Sequence, residues 1–252
     1  TELEPDETVL MQIAITLGYY DSKHAGITLG RFASQHVKNN YLYAASLSSI
    51  HAKNLAHVMQ GAFSGPRKAS DRLLEHLLAV AAGLGNRDVV NSLVIEWTST
   101  KSYADWQVRA ITATLENLQS RKIVPRDFLS APARAGIEKM IASLRPMLLE
   151  KSVQPLTIEG IIRLLGYAEQ DREDIANTLE LILVPQQTLE LQIAAMSSLL
   201  QLPGNSAQRL LERWASMSPA LRLQAINRML LETRHIQQLL DALQKGQVPP
   251  GH

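Results

Sequence analysis

One texture recurs along the whole sequence, and that recurrence limits what the chain can fold into. The stretch "MQIAITLGYYDSKHAGITLGRF" (Met11 to Phe32) returns as "LQIAAMSSLLQLPGNSAQRLLERW" (Leu191 to Trp214), each opening on a bulky apolar residue and Gln-Ile-Ala. Related segments are "YLYAASLSSIHA", "LLEHLLAVAAGLG", "DWQVRAITATLENL", "PLTIEGIIRLLGYA" and "PALRLQAINRMLLET". Each sets apolar residues at i, i+3, i+4 and i+7, the period of a helix and not the alternation of a strand. Near the middle of each sits a small residue: Ala14, Ala45, Ala81, Ala110, Gly160, Ala194 and Ala225. Small residues let helix axes approach to ~8–10 Å. They recur roughly every 30–36 positions, with one gap near 50.

Between these segments lie partner helices, predicted at "HAGITLGRFASQH", "NLAHVMQGAF", "VVNSLVIEWT", "EDIANTLELIL", "SAQRLLERWA" and "IQQLLDALQ". Breaks such as "SGPRKASD", "LGNRD", "VPQQ", "QLPGNS" and "SMSP" separate them. Asp6, Asp71 and Ser218 are predicted N-caps, and Pro219 suits a first helical position, where a missing N–H costs nothing. The acidic "EQDRED" run favours a helix start through the macrodipole. A single helix pair cannot bury both of its apolar faces, so copies must stack, each covering its neighbour.

The expected fold is therefore all-α, an α-α superhelix of the HEAT/armadillo-like solenoid kind with about seven helix pairs. The signature positions of tetratricopeptide units and the "TPLH" turns of ankyrin units do not recur, whereas "PALRLQAINRML" follows HEAT-like grammar. Residues 1–252 are expected to form one repeat domain, with sub-stacks 1–120 and 136–252 separated by an irregular segment, 118–135. Aromatic residues make up only 5% of the chain while Leu, Ala and Ile abound, which also favours helices over sheets.

Charge and special residues narrow the function. The net charge is +1, so no global field attracts nucleic acid or an anionic membrane, and neither nucleic-acid binding nor membrane insertion is expected. Arg121, Lys122, Arg126, Arg134 and Lys139 form a local basic excess, read as a solvated connector. The absence of Cys excludes disulfides, thiol catalysis, Cys-ligated zinc and covalently attached haem within this chain. No run reaches the ~18 apolar residues of a membrane span, and "TELEPDETV" is not a signal peptide. The chain reads as an excised domain.

At "LLERWASMSPALRLQAINRMLLETRHIQQLLDALQKGQVPP", with "QIAAMSSLLQLP" before it and "YLYAASLSSI" earlier, the sequence resembles a known family. It is similar to the HEAT-like region of exported, membrane-bound-dehydrogenase-like, haem-binding proteins of the Planctomycetes–Verrucomicrobia group. That family joins a sorbosone-dehydrogenase-like β-propeller, helical repeats and a c-type cytochrome module with Cys-x-x-Cys-His. The resemblance covers most of the chain and is specific mainly over Leu191 to Pro250. It implies a spacer, a periplasmic or otherwise exported location, and flanking propeller and cytochrome modules of the same polypeptide as partners. Because neither propeller nor Cys-x-x-Cys-His is present, no catalytic or haem-ligating residue carries over, and no cofactor is expected.

Candidate chemistry is sparse. His51 and His57 lie six apart and face different sides of a helix, and His-Glu-x-x-His is absent, so no metal site is expected. "GAFSGPRKAS" is Gly-rich and basic, but it is one residue short of a P-loop and lacks Lys-Ser/Thr after the second Gly. Its Gly61-x-x-Ser64-Gly65 also misses the nucleophile-elbow spacing, so an interhelix turn is predicted. "EWTSTKSYADW" gathers Trp97, Tyr103, Asp105 and Trp106 in an aromatic-poor chain, a candidate interaction surface. HEAT-like DNA glycosylases hold a damaged base with Trp and Asp, which makes a glycosylase an alternative, but that chemistry needs a basic cradle for phosphates. The preferred reading puts Trp106 in the core, Asp105 at a helix start and Trp97 against the adjacent turn. Arg109 and Arg222 occupy similar places in their units and are expected to bridge acidic residues of adjacent repeats. The function expected is a non-catalytic scaffold and protein-interaction domain, with a self-standing adaptor for a protein or peptide as the other binding alternative.

Overall fold

The computed structural model describes residues 6–64, 70–149 and 155–248. Among them the chain forms fifteen α-helices and two short 3-10 helices, and no strand. The first half holds α1 (Glu7–Tyr19), α2 (Lys23–Gln35), α3 (Asn40–Ser48), α4 (Leu55–Phe63), α5 (Asp71–Gly83), α6 (Arg87–Thr98), α7 (Asp105–Ser120) and the single turn α8 (Pro125–Phe128). Then come α9 (Ala131–Leu144), α10 (Pro155–Leu165), α11 (Arg172–Glu180), α12 (Leu189–Gln201), α13 (Ser206–Glu212), α14 (Pro219–Met229) and α15 (Thr233–Gln244). Contacts divide the chain into two compact units, Thr1–Gly136 and Ile137–His252.

Each unit is an array of stacked helix pairs. In the first, α1, α3, α5 and α7 pack successively as one row, while α2 packs on α4 as a second. In the second unit α10, α12 and α14 form one row, and α13 packs on α15. All seven small residues near the centres of the repeats are buried. The first core is built from side chains such as Leu29, Leu55, Leu77 and Ile111, and the second from Ile161, Ile162, Leu164 and Leu165.

The helix starts follow from short polar side chains. Asp6, Ser22, Asn39, Asn86, Thr188 and Ser218 each accept a hydrogen bond from a first-turn N–H, satisfying donors that have no partner within the helix. At α5 the cap is Ser70, and Asp71 is the first helical residue, one place later than its predicted role. Asp171, in the "EQDRED" run, precedes α11 in a left-handed conformation (φ 47°) and makes no side-chain cap, while Glu173 and Asp174 supply the negative first turn.

Segment 118–135, expected to be irregular, is largely helical. α7 continues to Ser120, Pro125 starts α8, and α9 begins at Ala131. Asn91 on α6 anchors the connection: its side-chain amide donates to the Phe128 carbonyl (3.4 Å) and its oxygen accepts from the Ser130 N–H (2.6 Å). The division between units falls inside α9, after Gly136. The stretch "PARAGIEKMIASL" is helical although it carries Pro132 and Gly136, residue types that ordinarily interrupt a helix.

The tightest packing lies between α2 and α4. A methyl group added to Gly30 would sit 2.0 Å from the Val58 carbonyl oxygen, and one on Gly61 would sit 2.0 Å from that of Ile27. Backbone meets backbone there, with no flexible side chain to move aside. Gly→Ala in a helix ordinarily adds about 1 kcal/mol through propensity. At Gly30 the sign should reverse, with Gly30→Ala costing about 1–3 kcal/mol through overpacking. Gly83, whose added methyl would meet nothing within 4 Å, is the control, and Gly83→Ala should stabilise by up to about 1 kcal/mol. Urea unfolding of both variants checks the pair.

A second prediction concerns acid. His235 on α15 is buried, its Nδ1 has no hydrogen-bond partner, and Glu232 Oε2 stands 3.9 Å away. Burial pushes the imidazole pKa below its usual 6.5; Arg234 and Arg228 act in the same direction, and Glu232 opposes them. As pH falls, the unfolded chain takes up this proton first, so stability is complete above about pH 6.5 and is lost below it. His36, also lowered by burial, contributes with the same sign. Urea midpoints at about pH 7 and 5 should differ less in His235→Gln than in the parent, with a residual slope from His36.

Candidate functional site

The cluster around "EWTSTKSYADW" forms the end of α6, the start of α7 and the link between them. Trp97 is 4% exposed, so it is a core residue and not an interaction surface. Trp106, expected in the core, is half-buried and meets the Trp97 ring edge-on, centroids 4.9 Å apart at 78°. The roles of the two tryptophans are thus exchanged. The helical period explains the exchange, because Val108, Ile111 and Leu115 set the buried face of α7 and Trp106 falls at its edge.

Asp105 is exposed and opens α7, where its charge suits the helix dipole. The preceding N-cap, Ala104, has no side-chain acceptor. Gln107 compensates by accepting from the Ala104 N–H at 2.7 Å, and its amide donates to the Trp97 carbonyl at 3.4 Å. Tyr103 donates to the Thr98 carbonyl at 3.4 Å, and partial burial raises its pKa. Tyr103, Asp105 and Trp106 therefore share a rim from which Trp97 is withdrawn. Trp97 has no free face on which a base could stack.

The two arginines differ. Arg109 on α7 pairs with Glu75 on α5 at 2.7 Å, joining neighbouring helices of one row. Arg222 on α14 bridges no acidic residue among the described ones. Its Nε and Nη2 donate to the carbonyls of Trp214 (3.0 Å) and Ala215 (3.1 Å), and its guanidinium lies 5.9 Å from the Trp214 ring centroid. Arg222 closes the turn before its own helix, because the 3-10 turn at Trp214–Ser216 directs carbonyls at it.

A stronger charge network went unnoticed in the sequence. Arg209 on α13 binds Glu173, Asn177 and Glu180 of α11 at once, and Arg213 also pairs with Glu180, at 2.9 Å. The acceptors fall at i, i+4 and i+7 on α11, one helical face, and that spacing was the available signal. Burial acts to lower the Arg209 pKa, but hydrogen bonds and charge from Glu180 and Glu173 prevail and raise it.

Tyr43 and His76 tie α3 to α5. The Tyr43 hydroxyl lies 2.8 Å from His76 Nδ1 and 3.2 Å from the Arg72 carbonyl, with the Arg72 guanidinium 4.9 Å from the ring centroid. Burial, helped by Glu75 and opposed by Arg72, pushes the phenol up to about 12, so it stays protonated. Near the ends of α1 and α3, His51 Nε2 donates to the Gly18 carbonyl (2.9 Å) and Nδ1 accepts from the Lys53 N–H (3.3 Å). Beside it Lys53 pairs with Asp21 at 2.8 Å; that hydrogen bond lowers the Asp21 pKa and raises that of Lys53.

Among the described residues no three His, Asp or Glu converge as a metal site, and no helix is long and apolar enough to cross a membrane. In "GAFSGPRKAS", Gly61 belongs to α4 and is consumed by its contact with α2, while residues 65–69 lie outside the described residues.

The ion pairs should rank by burial. Arg109→Ala should cost at most about 1 kcal/mol, as exposed pairs do. Arg209 and Glu180 are each 14% exposed, and a double-mutant cycle with Arg209→Gln and Glu180→Gln should give a coupling of about 1–3 kcal/mol. Urea unfolding measures both.

No protein-family model, curated protein or solved structure matches the chain.

Proposed function

We propose that this chain is a non-catalytic helical-repeat scaffold, a spacer and protein-interaction domain of a larger exported, haem-linked dehydrogenase-like protein of the kind its sequence resembles. The observation that carries this reading is how its buried polar side chains are used. Ser46, Thr98, Thr114 and Ser206 each donate to a carbonyl of their own helix or its approach. Asn54 caps one interhelix turn, Asn91 anchors another and Gln192 ties a third, donating to the carbonyls of Val184 and Gln187. These polar groups serve to fix helix ends and turns, as a scaffold of stacked helices requires, and so are not gathered around a reacting atom.

The mechanism is geometric. Stacked pairs transmit position from one repeat to the next through nearest-neighbour contacts. Flanking modules, a propeller and a c-type cytochrome, would thereby be held at a set separation, and exposed helix faces would be available to a partner.

Two measurements test the reading. The reading frame containing this chain should encode a propeller upstream and Cys-x-x-Cys-His downstream, and a frame with neither removes the dehydrogenase assignment. Incubated with methylated DNA, the chain should release no alkylated base above the buffer rate. Sustained release would instead establish the glycosylase alternative.

A further inference from the structure

The sequence contains no Asp or Glu between Asp21 and Asp71. That interval holds Lys23, Arg31, Lys38, Lys53, Arg67, Lys68 and four of the seven histidines, and it spans α2, α3 and α4. In a chain of net charge +1, a block this long without acid concentrates positive charge on one part of the surface.

The fold arranges part of it as a stripe. On α2, Gly26, Leu29, Gly30 and Ala33 are buried, while His24, Thr28, Arg31 and Gln35 are all exposed on the opposite side. Their 3- and 4-residue steps place them on one helical face. Lys23 opens the helix, and Lys38 is exposed in the turn beyond it. Arg72 secures that turn by donating to the Val37 carbonyl (3.1 Å) and the Asn40 side chain (3.2 Å). Among the described residues Lys23, Arg31 and Lys38 have no ion pair or hydrogen-bonding side-chain partner. Of the acids at the edges, Asp21 pairs with Lys53 and Glu7 accepts from Asn39, while Asp71 opens α5.

We propose that the exposed face of α2, with Lys38 at its end, binds an acidic polypeptide segment. Arg31 lies eight residues from Lys23 and seven from Lys38, or roughly 10–12 Å at helical rise. An extended segment rises about 3.3 Å per residue, so acidic side chains three or four residues apart along it match this spacing. Thr28 and Gln35 lie between the cations and offer neutral hydrogen bonds to peptide groups. Nucleic acid fits less well, because duplex DNA carries a charge every ~1.7 Å and this stripe has no Trp, Tyr or Phe on which bases could stack. The inference rests on the scaffold reading and gives it a face and a class of partner.

The experiment uses three fluorescein-labelled probes of roughly 15 units: a peptide repeating Glu-Glu-Ala, the same peptide with Gln for Glu, and oligo-dT. Fluorescence anisotropy should show the Glu peptide binding on the order of tenfold tighter than the Gln peptide, and weakening about fivefold from about 50 to 200 mM NaCl. Arg31→Gln with Lys38→Gln should weaken it on the order of tenfold, whereas Lys245→Gln, just past the end of α15, should not. Equal binding of both peptides, or an undiminished double variant with parental helicity, overturns the inference. Tighter binding of oligo-dT also overturns it and assigns the face to nucleic acid. The comparison of peptides on the parent chain needs no variant to fold. Failure here leaves the spacer reading intact, because that reading falls only on the reading frame or on base release.

Discussion

Close approach of helix backbones is the condition on which each unit depends. A helix in the middle of a row must touch a neighbour on either side, and a bulky side chain at the crossing would hold the axes apart. The seven small residues at the repeat centres remove that obstacle, and all are buried. Between α2 and α4 the requirement is most severe, since Gly30 and Gly61 each face a carbonyl of the opposite helix. Loss of helical propensity at two glycines is offset by apolar burial around them, including Leu29, Leu55 and Val58.

A second layer of organisation is polar. The helices are short, so many ends must be satisfied, and N–H and C=O groups at those ends are costly if buried unpaired. Side chains recruited from neighbouring helices do much of this. Asn91 serves the α8–α9 link, Arg121 donates to the carbonyls of Ala82 and Gly83 at the end of α5, and Arg234 reaches the Leu200 carbonyl. Charge is used in the same way, with Arg209 joining α11 to α13.

The helical class, the seven central residues and most element positions were legible because burial on one face imposes a 3.6-residue period that the sequence must carry. The α9 helix was not, because Pro132 and Gly136 near its start mimic a break, although Gly136 in fact admits Thr98 of α6. The Trp97 and Trp106 assignments were exchanged because both positions carry an aromatic, and only the register of α7 decides which is enclosed. Arg222 was misjudged for a related reason: a guanidinium serves carbonyls as readily as carboxylates, and sequence alone does not show which is nearer. The Arg209 network was hidden because its partners lie about 30 residues upstream, one repeat away.

The glycine contact has a bearing on recognition as well as on folding. With no side chain intervening, α2 cannot slide or roll on α4 without a carbonyl collision, so the outward groups of α2 are borne on a fixed platform. A flexible visitor would then lose its own freedom on landing, while the receiving surface would have little left to lose.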